Sequence, residues 1–372
     1  MNFYVDARAL QLVHWRGQQF YIFRILDEMI KNGLDHTFHL HFGRDAWNPQ
    51  IDSLLQYSNV VRHIHSGKYW SHASIPIEMF RTNSKIYYRM YNEDVPLYTP
   101  LPGRAVALIH DNGKHMHPEC YGVTDASEVR KRIARRIHDF AGIITVSCQI
   151  KNELIDLFKI DPDKIVVAPN AVNLENKASV CLQRPIALKN DAPFFLVVNP
   201  GGANKNWEQT LKGFELYVMQ TGDMTTRLVL AGNLAWETDK ISSAINSSPI
   251  LQNQVTCTGY LSDEELRYLY KNARLSVYLS RYEGFGIPIL ESMAHEHPAI
   301  VSDIPVFHEV ASDAAYYFPL DKPEALVQAL IVLNNDSSLR ETLIHRGLTQ
   351  HKRYSWQESA KITLNALIQF GS

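Results

Sequence analysis

The chain has 372 residues, of which 45% are hydrophobic. This length exceeds what one hydrophobic core usually serves, so two domains are expected. Its 37 basic and 39 acidic residues nearly balance, which argues against a dedicated nucleic-acid-binding protein. No signal peptide opens the chain, and no apolar run approaches the ~20 residues of a membrane-spanning helix. The four cysteines lack metal-binding or redox spacing, so the sequence predicts a cytoplasmic protein.

The charge is unevenly distributed along the chain. Residues 1–187 hold 22 basic and 19 acidic side chains (net +3), and the remainder holds 15 and 20 (net −5). An anionic partner is therefore expected on the N-terminal half. This half begins with a short predicted strand at 3–5, a loop at 15–17 and a helix from about Phe20 to Lys31.

Histidines alternate with apolar residues in the next two predicted strands, 38–42 and 60–64. The period of two places each pair on one face of a sheet. No cysteine or carboxylate accompanies them at ligand spacing, so they are interpreted as solvated or hydrogen-bonded strand residues and not as a metal site. The four histidines are His39, His41, His63 and His65.

Two segments of the N-terminal half mix basic with aromatic or apolar side chains. Residues 68–91 interleave tyrosines and a tryptophan with Lys85, Arg81 and Arg89. Residues 129–140 predict one amphipathic helix with an apolar stripe. Its stripe is Val129, Ile133, Ile137 and Phe140, and its basic residues are Arg130, Lys131, Arg132, Arg135 and Arg136. Two interpretations stay open: partly buried helices with solvated charges, or contact with an anionic membrane.

A buried strand is predicted at 106–109, and His110 follows it directly. Open α/β sheets bind ligands beyond the carboxyl ends of their strands, so His110 is a candidate site residue. For Asp111 a site role and a structural role are equal alternatives. Ser147 is expected to cap the next helix, and residues 174–192, which are polar and without periodicity, predict an interdomain linker.

The C-terminal half opens with a predicted strand at 194–198 that leads through Gly201 and Gly202 to Lys205 at a helix start. This order is typical of a phosphate site, in which the lysine supplies a point charge. Further on, a strand ends at Gly259, and Ser262 with Glu265 forms a predicted capping box. The turn between them contains Tyr260 and Leu261.

Residues 281–291 read RYEGFGIPILE, between a predicted buried strand at 275–279 and a predicted helix at 287–295. A strand, a glycine turn and a helix start direct backbone N–H groups and a helix dipole at an anion. Gly284 and Gly286 allow close approach of a ligand. Glu283 and Glu291 are suited to accept hydrogen bonds from vicinal hydroxyls. The segment therefore predicts a site for a nucleotide sugar.

The Glu-x7-Glu spacing with the internal Gly-Phe-Gly-x-Pro resembles the signature of the retaining GT-B glycosyltransferases, in particular glycosyltransferase family 4. The resemblance is strong over 194–320 and patchier before 105. It implies an α/β fold of the GT-B type, with two Rossmann-like domains whose parallel sheets face each other across a cleft. The acceptor-side domain would be 1–187 with the linker from about 174, the nucleotide-sugar domain 188–355, and 356–372 a helix that crosses back to the N-terminal domain.

The resemblance also implies roles for single residues. Lys205 would contact the donor diphosphate, and His110 would lie beside the transferred sugar; with Glu283 they form the implied catalytic set. The implied donor-binding residues are Gly17, Lys205, Tyr260, Leu261, Glu283, Gly284, Phe285, Gly286, Ile287 and Glu291. The match is incomplete in two places. Gly17 stands alone where the family has a glycine-rich loop, and a glycine at 201 or 202 replaces the family's usual arginine.

The activity implied is transfer of a sugar, with retention, from a nucleoside diphosphate sugar to a hydroxyl of a growing, lipid-linked polysaccharide or oligosaccharide. The sequence is most similar to bacterial surface-polysaccharide mannosyl- and rhamnosyltransferases, so GDP-mannose is the expected donor. A UDP-hexose, an ADP-hexose or GDP-rhamnose is the alternative. Neither a metal nor another cofactor is expected.

Two other classes were weighed against this activity. An oxidoreductase would need Gly-x-Gly-x-x-Gly after a first strand, and neither half supplies it. A non-catalytic subunit that only binds sugar nucleotides remains the alternative.

Overall fold

A computed structural model of the chain describes residues 1–12, 15, 17–43, 47–66, 70–90, 104–172, 182–189, 191–232, 234, 237–320 and 322–372. For residues 70–73, 129 and 132 it describes the backbone only. The chain divides into two compact units. The first unit comprises Met1–His115, Thr124–Asn170 and Tyr354–Ser372, and the second comprises Met116–Val123 and Ala171–Arg353.

Each unit contains one sheet. The strands of the first are β1 Asn2–Asp6, β2 Thr37–Gly43, β3 Val60–His65, β4 Ile86–Arg89, β5 Ala105–Ile109, β6 Gly142–Thr145 and β7 Ile165–Val167. The strands of the second are β8 Phe194–Val198, β9 Arg227–Ala231, β10 Val255–Gly259, β11 Leu275–Tyr278, β12 Ala299–Ser302 and β13 Tyr316–Phe318. The strands predicted from alternation and from apolar runs are thereby confirmed.

The helices follow the strands in alternation. They are α1 Gly17–Asn32, α2 Trp70–Arg81, α3 Gly113–Met116, α4 Ala126–Ala134, α5 Cys148–Phe158, α6 Trp207–Thr221, α7 Thr238–Asn246, α8 Pro249–Gln254, α9 Asp263–Asn272, α10 Ile287–Ala294, α11 Pro305–Ala311, α12 Pro323–Asn335, α13 Ser337–Gln350 and α14 Trp356–Gly371. In the part of the chain that is described, no helix combines the length and the apolar character needed to cross a membrane.

The order of the strands reverses once in each sheet. The first sheet runs β3-β2-β1-β4-β5-β6-β7 and the second β10-β9-β8-β11-β12-β13, with parallel pairing between neighbours. The chain therefore builds outward from β1 and then from β4, and outward from β8 and then from β11. Such a reversal leaves a crevice at the carboxyl ends of the two central strands, where open α/β sheets bind ligands.

Apolar strands and amphipathic helices form the core of each unit. Every residue of β5 and of β8 is buried, as expected for parallel strands that are covered on both faces. In the first unit α14 packs against α1. The Ser359 hydroxyl donates to the Pro169 carbonyl at 2.7 Å, and the Tyr21 hydroxyl donates to that of Ala168 at 3.0 Å. The first bond attaches the C-terminal helix α14, and the second attaches α1, to the residues that follow β7.

The prediction of a single helix over 129–140 is wrong. The α-helix α4 ends before Arg136, whose backbone leaves the helical region (φ −127°, ψ −19°) and whose N–H donates to the Ile133 carbonyl at 2.9 Å. A short 3-10 turn follows. Ile133, Ile137 and Phe140 are all buried nevertheless, because residues three apart in a 3-10 turn share one face.

The aromatic and basic segment 68–91 divides into α2 and β4. Tyr87 and Tyr88 are fully buried strand residues, so these two aromatic side chains cannot face a membrane. Ile77 and Phe80, by contrast, are 52% and 83% exposed on α2. Lys68, Tyr69 and Tyr91 lie outside the described residues. A strand of four residues gives little alternation for a sequence pattern to reveal.

Candidate functional site

Lys205 and Glu283 meet at the crevice of the second sheet. Lys205 ends the 3-10 turn that follows β8, and Glu283 lies in the loop that follows β11. Because these strands are neighbours, the Lys205 ammonium pairs with Oε1 of Glu283. The Ser280 hydroxyl donates to the same oxygen at 2.6 Å. Both charged residues line one small pocket, together with Ser280 and Gly286.

Three further hydrogen bonds join the two loops. The Arg281 N–H donates to the Asn204 carbonyl at 2.7 Å, and the Asn204 amide donates to the Tyr282 carbonyl at 3.2 Å. The Arg281 guanidinium donates to Oδ1 of Asn206 at 3.1 Å. A second cation therefore lies beside the turn that carries Lys205. Sequence reasoning missed this role of Arg281, because the contact joins residues 75 apart and no local pattern indicates it.

The N-terminus of α10 contributes backbone groups to the same pocket. Gly286 precedes the helix with φ +104°, a conformation that favours glycine. A Cβ at this position would also lie 3.0 Å from the Phe307 ring. The first N–H groups of a helix have no partner within it, and the helix dipole is positive at this end. The segment 284–287 is thus placed to bind an anion with amides beside Lys205.

Glu291 lies farther along α10 and has its own partner. The Tyr270 hydroxyl donates to Oε2 of Glu291 at 3.0 Å. A bond of 2.8 Å joins the Tyr278 hydroxyl to that of Ser292 next to it. Burial raises the pKa of Glu291 to about 7, although the bond from Tyr270 opposes this rise. Glu291 therefore changes charge near neutral pH.

Tyr260 and Leu261 follow β10, the edge strand of the second sheet. Tyr260 is 75% exposed, and Leu261 is half-buried. The predicted capping box is confirmed: Ser262 Oγ accepts from the Glu265 N–H at 3.2 Å, and the Glu265 carboxylate accepts from the Ser262 N–H at 2.9 Å. The helix that begins here, α9, also carries Tyr270, and so the turn and Glu291 are linked by one helix.

The first unit holds His110 and Gly17. His110 follows β5, and its ring centroid lies 4.9 Å from that of Tyr21, which α1 carries four residues after Gly17. The sequence predicted that Gly17 lies in a loop, whereas in the structure it is the first residue of α1. Burial lowers the pKa of His110 to about 3, so its imidazole is neutral at physiological pH. Among the described residues its buried Nε2 has no hydrogen-bond partner.

The residues that follow His110 in the chain lie in different surroundings from it. Asp111 accepts a hydrogen bond from the Gly113 N–H at 2.9 Å and so caps the start of α3, which gives it a structural role. His117 and Glu119 belong to the second unit and are joined by a bond of 3.1 Å. The His117 ring lies 5.6 Å from that of Tyr282. The His-Pro-Glu segment therefore borders the 281–283 loop.

The predicted site residues thus fall into two groups. In the second unit, Lys205, Glu283 and Gly286 line one pocket, and Gly284, Phe285 and Ile287 are neighbours of these residues in the chain. Tyr260, Leu261 and Glu291 are connected through α9. Gly17 and His110 are associated in the first unit. Two cations and helix amides can hold a diphosphate, and carboxylates can hold hydroxyl groups.

Comparison with known proteins gives three kinds of likeness. The protein-family model for Glycosyl transferases group 1 matches residues 182–350. O-antigen chain mannosyltransferase B of Escherichia coli is 30% identical over 269 residues, which are 71% of this chain and 70% of that protein. O-antigen chain mannosyltransferase RfbU of Salmonella typhimurium is 31% identical over 188 residues, or 50% of this chain and 49% of that protein.

A solved structure shares the fold. WaaG, a glycosyltransferase involved in lipopolysaccharide biosynthesis, matches over 98% of both chains with a TM-score of 0.68 and 14% identity. The predicted α/β fold of the GT-B type is thereby confirmed.

Proposed function

The chain belongs to the group 1 glycosyl transferases, and on that premise we propose that it transfers mannose from GDP-mannose to a hydroxyl of a growing, lipid-linked polysaccharide. The observation that carries the proposal is the Lys205–Glu283 pair at the switch point of the second sheet. A cation, a carboxylate and the N-terminus of α10 converge there. This combination suits the diphosphate and the sugar hydroxyls of one donor molecule.

In the proposed complex the diphosphate takes the place between Lys205 and the amides of 284–287. Arg281 supplies a second cation. The proximity of its guanidinium to Asn206 supports this assignment. Glu283 accepts hydrogen bonds from hydroxyls of the sugar. Two fixed cations and helix amides neutralise the diphosphate, and therefore transfer is proposed to be independent of metal.

The nucleoside end of the donor is assigned to α9 and α10. Glu291 accepts hydrogen bonds from the two ribose hydroxyls, with Tyr270 fixing the orientation of its carboxylate. Tyr260 and Leu261 contact the base at the turn before α9. The exposed Tyr260 ring supplies the flat surface on which a base stacks.

The proposed reaction breaks the bond between the anomeric carbon and the diphosphate oxygen. The acceptor hydroxyl oxygen forms the new bond on the same face, and its proton passes to an oxygen of the departing diphosphate. Negative charge grows on that diphosphate in the transition state. Lys205, Arg281 and the α10 dipole stabilise this charge without moving, which is how such sites lower a barrier.

His110 is proposed to act on the transferred sugar and not on the nucleotide. It stands after a strand of the first sheet, and its neutral imidazole can donate or accept a hydrogen bond. The unpartnered Nε2 supports the proposal, because a buried polar atom without a partner is costly unless a ligand supplies one. Gly17 begins the helix that packs on His110 through Tyr21, and it is assigned to the donor phosphates.

The choice of mannose and of a polysaccharide acceptor rests on the relatives. Two of them are named O-antigen chain mannosyltransferases. Lipid linkage and peripheral contact with an anionic membrane are proposed from the basic residues around 131–136, of which Lys131, Arg135 and Arg136 are exposed.

The proposal is tested by incubating the protein with labelled GDP-mannose, GDP-rhamnose, UDP-glucose and ADP-glucose and a lipid-linked oligosaccharide. We expect label to enter the acceptor from GDP-mannose fastest. Transfer from another donor would contradict the choice of GDP-mannose. Binding of sugar nucleotides without transfer or hydrolysis, on every acceptor tried, would favour the non-catalytic alternative.

A further inference from the structure

A second group of polar side chains lies in the first unit, apart from the residues assigned to glycosyl transfer. His41 on β2 stands directly opposite His63 on β3 in the register of the two parallel strands. Glu78 reaches them from α2. One ligand atom from each of the three lies within 4.8 Å of the others. The carboxylate that the sequence pattern seemed to lack is thus supplied by a helix 15 residues after His63.

A chain of hydrogen bonds links His63 through His39 to Asn2. The Asn2 amide nitrogen donates to the Thr82 carbonyl at 3.4 Å, which turns Oδ1 of Asn2 toward Nε2 of His39, 3.3 Å away. Nε2 of His39 is therefore the donor, and its Nδ1 accepts from Nε2 of His63 at 3.0 Å. In the neutral ring this leaves a lone pair on Nδ1 of His63.

That lone pair faces a carboxylate. Nδ1 of His63 is 3.3 Å from Oε2 of Glu78, an oxygen that is itself buried. Two acceptors at this distance repel each other unless a proton or a metal ion lies between them. Two ligands of a tetrahedral zinc ion, each ~2.0–2.1 Å from the metal, lie about 3.3 Å apart. The separation of these two atoms is therefore compatible with two ligands of one zinc ion.

The third residue and its neighbours fit the same interpretation. Nδ1 of His41 is bonded to Nε2 of His65 at 2.7 Å, the kind of outer contact that orients a ligating imidazole. His41 stacks on His63, with ring centroids 4.5 Å and ring planes 10° apart, so one of the two rings has to turn before both bind one ion through a ring nitrogen.

We propose that His41, His63 and Glu78 bind one divalent transition-metal ion of the zinc type. Two imidazoles and one carboxylate favour such an ion over magnesium or calcium, which prefer oxygen ligands. The ion joins β2, β3 and α2, and its role is structural. The site is independent of the proposed glycosyl transfer, which uses other residues.

The experiment uses the full chain without a histidine tag. The protein is treated with a chelator, loaded with Zn²⁺ and dialysed, and the bound zinc is measured together with the visible spectrum of the Co²⁺ form. We expect about one zinc ion per chain and the intense absorption of tetrahedral cobalt. Less than a tenth of an equivalent of zinc would overturn the proposal and leave His63 and Glu78 as an ion pair.

Matched variants distinguish this site from adventitious binding. His65→Gln removes an outer contact and should weaken zinc binding by roughly 10- to 100-fold, and Glu78→Gln or His63→Gln should weaken it more. The exposed His345→Gln is the control and should leave zinc binding unchanged. Glu78 has a partly exposed side chain, so its variant should fold, which circular dichroism checks. Undiminished zinc binding in Glu78→Gln would also overturn the proposal.

Discussion

Lys205 and Glu283 are 78 residues apart in the chain and form an ion pair at the carboxyl ends of two neighbouring strands. Neither side chain is fully buried, with 25% and 17% of their surfaces exposed. The pair therefore remains accessible to a ligand while being protected from full hydration. It places a positive and a negative charge side by side, as a sugar diphosphate requires.

The first prediction concerns the negative member of this pair. Glu283→Gln keeps the shape of the side chain but removes its charge. Affinity for GDP-mannose should fall on the order of 10- to 150-fold, because hydrogen bonds to a charged group contribute roughly 1.5–3 kcal/mol. Affinity for GDP, which lacks the mannose, should stay equal or rise, since Lys205 is then left unpaired. Calorimetric titration of both ligands measures the difference. Equal losses of affinity for GDP-mannose and GDP would show that Glu283 does not contact the mannose.

The second prediction is that binding of GDP-mannose depends on the ionisation of Glu291. The pKa of this carboxyl is raised to about 7, and the ribose hydroxyls bind its charged form. Affinity should therefore rise with pH, changing by about tenfold per pH unit below 7 and levelling off above it. GDP-mannose is the right ligand because its own phosphates do not titrate in this range. In Glu291→Gln the affinity should be lower and flat with pH.

A partner variant sharpens this test. Tyr270→Phe removes the hydrogen bond that lowers the pKa of Glu291, so the midpoint of the pH dependence should move upward. An unchanged pH profile in either variant would assign the titration to another group.

The third prediction concerns His110. If the imidazole acts on the transferred sugar, His110→Ala should lower kcat by at least about tenfold, the value of one hydrogen bond made in the transition state, with little change in the KM for the donor. The pKa of His110 is about 3, so wild-type kcat should show no titration of this residue between pH 5 and 8. Steady-state rates and GDP affinity are compared in the same preparation. A loss explained wholly by weaker GDP binding would exclude the proposed role.

The fourth prediction concerns the membrane. Lys131, Arg135 and Arg136 are exposed, whereas Arg130 donates to the His115 carbonyl and is occupied within the unit. Changing the three exposed residues to glutamine should reduce binding to anionic liposomes, and the difference should vanish at high salt. A control variant carries the same change of charge at Lys271, Lys322 and Lys352, all exposed in the second unit. Equal binding by both variants would leave these basic residues as solvated charges only.

The sequence was informative where structure is set by near neighbours. The apolar runs at 106–109 and 194–198 predicted buried strands, and Ser262 with Glu265 predicted a capped helix, because burial on both faces and helix capping leave local patterns. The fold class followed from the resemblance to the GT-B glycosyltransferases. The 281–291 segment was recognised for the same reason, since its glycines, proline and carboxylates are contiguous.

Contacts across the chain could not be predicted in the same way. No sequence pattern near Arg281 indicates its hydrogen bond to Asn206. Likewise, no pattern near Glu291 indicates that the Tyr270 hydroxyl donates a hydrogen bond to its carboxylate. Glu78 meets His63 only because α2 packs on the strands. These pairs depend on how helices and strands are aligned against one another. The hydrophobic pattern shows which face of an element is buried but does not show this alignment.

The central claim is that Lys205 holds the diphosphate of the donor. It is tested most directly by titrating GDP, GMP and guanosine into the wild-type protein and into Lys205→Ala. A charged contact of roughly 1.5–3 kcal/mol predicts that the variant loses on the order of 10- to 150-fold in GDP affinity, less for GMP, and nothing for guanosine. Equal losses for the three ligands, or no loss for GDP, would contradict the claim.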